Sequence, residues 1–272
     1  MFRWSLAHLS LLDATPPQLV AAAARAGFGN VGLRLWPARP GEMPHPMHEG
    51  SAMLADTRTR MADLGVRVHD VEVIRLSAAF DAGAFEPMMG VAASLGARYV
   101  VVNCDDPNPV RAAGSLAALA QLAASHGLTL GVEFMVYTAL PDLRAARALV
   151  QRAAQPNVRI LVDTLHLMRS GADPSTLAEE TDIARDFAQF SDAAARPHPA
   201  LSPGEEARGH RLLPGEGELP LVEIARNALT PGAMISVEAP SAVRRHHLSL
   251  DQRASLAWRA AQSWHSSIQG NP

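Results

Sequence analysis

The sequence lacks the features that would place it in several large classes of protein. It contains one cysteine, Cys104, so no disulfide can form within the chain. No uncharged apolar run reaches the roughly 20 residues that a membrane-spanning helix requires, and residues 1–10 do not show the pattern of a secretion signal. The net charge is −3, and the 24 basic residues are spread out rather than gathered into a stripe that would bind a phosphate backbone. We therefore expect a cytoplasmic protein with neither nucleic acid nor a membrane as a partner.

What the chain has is a regular alternation of apolar runs and Ala-rich amphipathic stretches. Hydrophobic residues make up 48% of the sequence, which is enough to build a packed core. The alternation predicts parallel strands joined by helices. The predicted strands are Trp4–His8, Asn30–Leu35, Arg67–Val73, Tyr99–Asn103, Thr129–Glu133, Arg159–Asp163, Asp186–Phe190 and Met234–Glu238. The predicted helices are Pro17–Ala26, Ala52–Leu64, Phe85–Leu95, Ala112–Ser125, Pro141–Ala153, Pro174–Glu180, Leu219–Ala228 and Leu250–Trp264.

Eight strand–helix units predict an α/β fold, a single (β/α)8 TIM barrel over residues 1–272. Several predicted helices are followed by a glycine suited to a left-handed C-cap, namely Gly27, Gly65, Gly96 and Gly127. A doubly wound open sheet is the alternative, although no glycine-rich nucleotide fingerprint follows the first strand. Two segments rich in Pro and Gly, Pro37–His48 and Ala193–Pro214, are either loops over the active face or tolerated surface insertions.

Polar side chains end four successive predicted strands. They are Glu133, Asp163, Gln189 and Glu238. In a closed barrel these strand ends converge on one mouth, where bare carboxylates would repel each other. The acids either share protons, are neutralised by arginine, or bind a divalent cation, and the cation is the simplest way to keep all of them ionised. Oxygen ligands favour Mn²⁺ or Mg²⁺, with Co²⁺ or Zn²⁺ as alternatives.

The motifs around these residues resemble the sugar phosphate isomerase/epimerase superfamily, the xylose isomerase-like barrels. The motifs are Gly131–Phe134, Leu161–His166, Gln189–Asp192, Arg211–Gly217 and Val237–Glu238. The resemblance implies one metal ion held by Glu133, Asp163, Gln189 and Glu238, and it implies that Glu133 and Glu238 move protons on and off a carbon beside a carbonyl. Ketose 3-epimerases of the family place His where this chain has Gln189, whereas 3-dehydroshikimate dehydratases resemble it in using Gln.

Further residues are predicted to contact the substrate. His166 follows Asp163 as in the family's Asp-x-x-His pair, which implies a catalytic or substrate-binding role, with a structural histidine as the alternative. Arg211 matches a family arginine that reaches a substrate oxygen; alternatively it pairs with Glu216 or Glu218. Asp192 is expected to support Gln189 or Arg211.

Strand three offers two further polar side chains, Glu72 and His69. Strand alternation would send them to opposite faces, and we place Glu72 in the barrel as a substrate-binding residue. Arg34 is expected to form an ion pair with Glu72 or to meet an anionic group. The roles of His8, Asn103, Tyr137 and Cys104 stay open, because no motif supports them.

These features together predict a divalent-metal-dependent isomerase or epimerase that acts through an enediolate on a small sugar, sugar acid or polyol ketone. A dehydratase-type lyase resembling 3-dehydroshikimate dehydratase is the first alternative. The second is a catalytically silent barrel that binds a sugar-like ligand, which the fold permits because function depends on the site. The expected partner is a small sugar-like molecule, and assembly into a homodimer is left open.

Overall fold

The computed structural model of the protein describes residues 1–38, 42 and 44–269. Eight parallel strands are hydrogen-bonded in chain order and close into a barrel, in which β1 (Arg3–Leu6) pairs with both β2 (Asn30–Arg34) and β8 (Met234–Val237). The remaining strands are β3 Arg67–Leu76, β4 Tyr99–Cys104, β5 Thr129–Glu133, β6 Val158–Asp163 and β7 Ile183–Phe190. The prediction of a (β/α)8 TIM barrel is confirmed.

The helices surround this barrel. They are α1 Pro16–Ala26, α2 Ala52–Leu64, α3 Glu86–Ser94, α4 Pro109–Ser125, α5 Leu143–Ala153, α6 Thr164–Arg169, α7 Pro203–Gly209, α8 Leu221–Ala228, α9 Ala242–His247 and α10 Leu250–Gln269. Among the described helices, none is long and apolar enough to cross a membrane. Helix α1 shows how local sequence sets the bounds. Thr15 and Gln18 form a capping box at its start, and Gly27 ends it with a φ of 110°.

Two apolar layers hold the barrel together. Outward-facing strand residues pack under the helices in one large buried cluster. A smaller cluster of inward-facing side chains fills the lower barrel and includes Tyr99, Val101, Leu161, Phe187 and Met234. Filling the interior with side chains makes the barrel a solid support rather than a pore, so ligands are confined to the open end where the strands finish.

Several predicted helix positions were wrong, and each error involves a segment of one or two turns. Pro174–Glu180 contains a 3-10 helix, Pro174–Ala178, rather than an α-helix. Helices α6 and α9 were not predicted, and α7 lies inside the predicted loop Ala193–Pro214. Such short helices carry too few residues for a helical period to show. Within Pro37–His48, residues 39–41 and 43 lie outside the described part of the chain.

Candidate active site

The four predicted strand-end residues meet at the mouth of the barrel. Glu133 is the last residue of β5, Asp163 the last of β6, Gln189 lies one residue before the end of β7, and Glu238 follows β8. All four side chains are buried. Glu133 and Glu238 line a cavity of about 180 Å³, together with His166, Glu72 and other residues of the mouth. Barrel geometry therefore brings these residues together as the sequence predicted.

Each of the two glutamates is oriented by a neighbouring amide. Asn103, near the end of β4, donates from Nδ2 to Glu133 Oε2 at 2.7 Å. Gln189 donates from Nε2 to Glu238 Oε1 at 2.8 Å. These bonds are made on adjacent strand ends and hold both carboxyl groups in defined positions. Asn103, whose role the sequence left open, is thus part of the site.

Arg211 lies beneath these acids rather than at the surface. Its guanidinium is 2% exposed, and Nη1 lies 2.6 Å from Asp163 Oδ2 and 3.2 Å from Glu238 Oε2. Nε donates to the carbonyl oxygen of Ala207 at 2.7 Å. The alternative pairing with Glu216 or Glu218 is wrong, because Glu216 pairs with Arg244 at 2.5 Å and the Arg211 side chain turns inward to the acids.

His166 lies close to the same group of acids. Asp163 caps helix α6 by accepting from the backbone N–H of His166 at 2.9 Å, and this contact fixes the His166 side chain beside the mouth. The ring Nε2 is 3.9 Å from Glu133 Oε1 and 3.3 Å from Arg211 Nη2. Tyr137 covers His166 with an edge-to-face contact between ring centroids 5.7 Å apart. A buried histidine at this position is reachable from the cavity.

The protonation of the site reflects the burial of its side chains and the charges beside them. Burial, reinforced by Asp163, raises the pKa of Glu133 to about 7, and burial raises the pKa of Glu238 well above its ordinary value. Burial acts on Asp163 in the same direction and is the largest single effect, but Arg211 and His166 together outweigh it, so the pKa of Asp163 is lowered. Burial lowers the pKa of His166 to about 4, which leaves its ring neutral at pH 7.

The donor set fits a divalent cation. Glu133, Asp163 and His166 each offer a ligand atom within 4.8 Å of the others. Gln189 Oε1 is buried and has no hydrogen-bond partner in the described part of the protein, which is costly unless a ligand occupies it.

The charges at the mouth lead to the same conclusion. Its buried carboxyl groups belong to Glu72, Glu133, Asp163 and Glu238, and its buried or nearly buried guanidinium groups belong to Arg34 and Arg211. Two of the four carboxylates are therefore left without a countercharge. One divalent cation would balance their combined charge. The ligand set Glu133, Asp163, Gln189 and Glu238 stays a prediction, and the structure adds His166 to the candidates.

The expectation that His69 and Glu72 point to opposite faces was wrong. Strand β3 carries one extra residue against β2, because Val31 pairs with Val68 while Gly32 pairs with Asp70. This irregularity keeps His69 inside the barrel, where its ring packs on Tyr99 and Phe187. Glu72 also faces the interior and lines the mouth. Its carboxylate is 3.6 Å from Arg34, which agrees with the predicted ion pair.

Asp192 has a different role from the one predicted. It accepts from the backbone N–H groups of Gly215, Gly217 and Leu219, each at 3.0 Å, rather than supporting Gln189 or Arg211. Gly217 is needed in this turn, because a Cβ there would lie 2.4 Å from the carbonyl oxygen of Ala193. The turn that follows Arg211 is therefore fixed from beneath by one carboxylate.

Sequence reasoning named Arg34 but missed the other arginines that line the cavity above the acids. Arg34, Arg75, Arg208 and Arg245 line it above the acidic floor. Their signal was weak, since they lie on β2, on the extended end of β3 and on the short helices α7 and α9. Cys104 is buried and burial raises the pKa of its thiol, so its environment does not favour a nucleophile.

The fold and site define a class of protein: a (β/α)8 barrel with a buried acidic cluster able to hold a metal at the strand ends. Residues 20–265 match the model of the xylose isomerase-like TIM barrel family, and the chain belongs to that family.

Among curated proteins, a 3-dehydroshikimate dehydratase of Pseudomonas aeruginosa is 29% identical over 227 residues, 78% of this chain. The chain spans about a third (34%) of the length of that relative. Among solved structures, the probable 3-DHS dehydratase AsbF of Bacillus anthracis has a TM-score of 0.75 at 15% identity, with 96% of this chain and 98% of the other covered. An L-ribulose 3-epimerase has a TM-score of 0.71 at 16% identity, with 99% and 96% covered. These two structures share the fold with this chain.

Proposed function

We propose that this protein is a metal-dependent enzyme that removes a proton from the carbon beside the ketone of a small polyhydroxylated compound, and that loss of water follows. The observation that carries the proposal is the buried cluster of Glu133, Asp163, His166 and Glu238, whose unbalanced negative charge matches a divalent ion. Glu133 and Asp163 would hold the metal, with Gln189 Oε1, Glu238 and His166 available to complete its shell. The bound cation would polarise the ketone oxygen and stabilise the negative charge that develops there.

The residues of the chain would carry out the proton transfers and hold the reacting groups in position. Glu133 and Glu238 are the candidate bases, and Asn103 and Gln189 orient them within hydrogen-bonding distance. His166 is neutral at pH 7 and can donate to a departing or ketone oxygen, or accept a proton from a hydroxyl. Arg211 neutralises Asp163 and fixes its direction. This chain has no lysine, so it offers no amine for a Schiff-base route to the same carbanion.

Dehydration is favoured over epimerisation by two features. The curated relative that aligns over most of this chain is a 3-dehydroshikimate dehydratase, and Gln189 stands at the position where the resembling dehydratases have glutamine. Epimerisation is the second candidate, because Glu133 and Glu238 both reach the cavity and could act on one carbon. An enediolate precedes either outcome, so both share the first proton transfer.

The metal can be tested before the substrate is known. Metal content by mass spectrometry and thermal midpoints with and without chelator should be compared for wild type, Glu133→Ala and Asp163→Ala. Glu216→Ala, which removes a partly exposed carboxylate paired with Arg244, is the matched control. Near-stoichiometric metal in wild type and the control, and its loss in both site variants, is the expected result. Wild type that neither contains nor takes up a divalent ion would refute the metal-dependent mechanism and favour a silent ligand-binding barrel.

The reaction can then be tested with 3-dehydroshikimate and a panel of ketoses. Dehydration creates a conjugated product that absorbs in the ultraviolet, whereas epimerisation changes only the sugar composition that chromatography reports. Absorbance gain that depends on metal and disappears in Glu133→Gln is the outcome expected of a dehydratase. Formation of epimers without a gain in absorbance would support epimerisation instead of dehydration.

A further inference from the structure

A second cavity adjoins the mouth above the end of β1. It has a volume of about 310 Å³ and shares Leu12, Arg34 and Arg245 with the cavity that contains the acids. Arg34 ends β2, and Arg245 lies on α9 directly after β8. Because β1 lies between β2 and β8 in the barrel, the two arginines flank the same gap. The ridge between the two cavities therefore carries two guanidinium groups.

The backbone of Arg34 is held in place, and its guanidinium has N–H donors that are not used among the described residues. His8 Nδ1 accepts from the backbone N–H of Arg34 at 2.9 Å, and the other ring nitrogen bonds to the carbonyl oxygen of Ala14 at 2.9 Å. His8 is fully buried, and burial lowers its pKa to about 3, so the ring is a fixed neutral acceptor. The side chain of Arg34 is 12% exposed, and its charged contact is between Nη2 and Glu72 Oε2 at 3.6 Å, beyond hydrogen-bond length. Its Nε is buried and has no hydrogen-bond partner among the described residues.

Arg245 is also incompletely paired. Its nearest carboxylate is Asp13, at 3.9 Å. Asp13 is already bound through both oxygens by Arg253, at 2.9 and 2.7 Å. The side chain of Arg245 is 60% exposed and borders both cavities. A guanidinium with five N–H donors and one long contact is well suited to take an anionic oxygen from a ligand.

The two other arginines above the acids, Arg75 and Arg208, differ from Arg34 and Arg245 in their contacts. Arg75 donates to Asp105 at 2.7 Å, so its charge is already balanced. Arg208 lies over the ring of Tyr137, 5.8 Å from its centroid, on the side of the mouth near His166. Glu42 is the acidic side chain of the second cavity, and it accepts from the backbone N–H of Ala38 at 2.8 Å. Arg34 and Arg245 are thus the two arginines that border both cavities, and the ion pair of each among the described residues is long, at 3.6 and 3.9 Å.

We propose that Arg34 and Arg245 form an anion subsite that binds a carboxylate or phosphate group of the substrate while the polyol ketone of the same molecule lies over the acids. The inference rests on the proposed function, because that proposal identifies the other end of the ligand as a polyol ketone. The shared chemistry is a compact anion with two or three oxygens, which matches the fork of a guanidinium. Both arginines are specificity residues and take no part in the proton transfer.

Binding measured without turnover tests the subsite separately from the reaction. Isothermal titration of the metal-loaded protein should compare quinate with myo-inositol, which are ring polyols with and without a carboxylate, and fructose 6-phosphate with fructose. We expect one anion to bind at least tenfold more tightly than its neutral partner. The anion that does so identifies the group as carboxylate or phosphate. Arg34→Gln and Arg245→Gln should each remove most of that preference, whereas Arg75→Gln, the matched control, should retain it.

Two results would overturn the subsite. One is equal binding of each anion and its neutral partner by wild type. The other is a loss in Arg75→Gln as large as in Arg245→Gln, which would mean that general positive charge rather than a defined pair is responsible. A protein that prefers an anion but turns over no substrate would retain the subsite and contradict only the proposed reaction. Thermal midpoints of the three variants show whether any loss of binding follows from unfolding.

Discussion

Replacing Arg211 by methionine tests the electrostatic account of the mouth. Arg211 is 2% exposed and lies 2.6 Å from Asp163 and 3.2 Å from Glu238, which are themselves buried. Methionine keeps much of the side-chain volume and removes the charge. Asp163 then loses the cation that lowers its pKa, and two carboxyl groups face each other without compensation.

The expected loss of stability is large. Removing one partner of a buried ion pair costs about 3–5 kcal/mol. For a chain of about this size, 1 kcal/mol corresponds to a shift of about 2–4 °C, so the metal-free variant should melt roughly 6–20 °C below wild type. The deficit should be greatest at pH 8 and should shrink towards pH 4, because Asp163 without Arg211 is left with the burial that raises its pKa and takes up a proton in the variant before it does in wild type.

Thermal midpoints by circular dichroism in chelator, at pH 8, 6 and 4, measure both parts of this prediction. Arg244→Met is the matched control, because Arg244 pairs with Glu216 at a partly exposed site and such pairs contribute about 0–1 kcal/mol. An Arg211 variant that melts with wild type at pH 8 would refute the reasoning. So would a deficit that does not depend on pH, since that would indicate lost packing rather than lost charge.

Three further predictions concern single positions. Glu133 has a folded-state pKa of about 7 against an ordinary value of 4.5, so the metal-free protein should lose stability as pH rises from 4.5 to 7, and Glu133→Gln should flatten that slope in melting experiments. Gly32→Ala would place a Cβ 2.4 Å from Asp70 Oδ2 and should cost about 1–3 kcal/mol in urea unfolding; strict additivity with Asp70→Ala would contradict this contact. Cys104 should react with Ellman's reagent only after denaturation, and rapid labelling of native protein would show that the thiol is not buried.

The parts of the fold that could be predicted are those with a repeating signal. Each strand is a short apolar run and four of the predicted helices are followed by a glycine suited to a C-cap, so eight units could be counted and their order followed. The glycines expected at helix ends do adopt positive φ, as Gly27 and Gly65 show at 110° and 67°. Elements of one or two turns show no helical period, which is why α7 was placed in a loop and α9 was not predicted.

The site was predictable where a residue's place on a strand determines its direction. Glu133 and Asp163 end their strands, and closure of the barrel alone brings them together. The direction of His69 was predicted wrongly because the extra residue in β3 changes the alternation of side chains. No sequence pattern indicated that extra residue. The inward turn of Arg211 was equally hidden, because its direction depends on a carbonyl of α7 and on two distant acids.

The mouth has an acidic floor, formed by Glu72, Glu133, Asp163 and Glu238, and a basic rim, formed by Arg34, Arg75, Arg208 and Arg245. Most of the floor and half of the rim come from different parts of the βα unit. The floor carboxylates lie on or next to the strands, whose positions the barrel fixes. Arg208 and Arg245 lie on helices that follow β7 and β8, where sequence can change without disturbing the barrel. Opposite charges at two depths would orient the proposed ligand, which carries both an anion and a ketone, in one direction. Substitutions in the floor should therefore change whether metal and reaction are retained, and substitutions in the rim should change which substrate is bound.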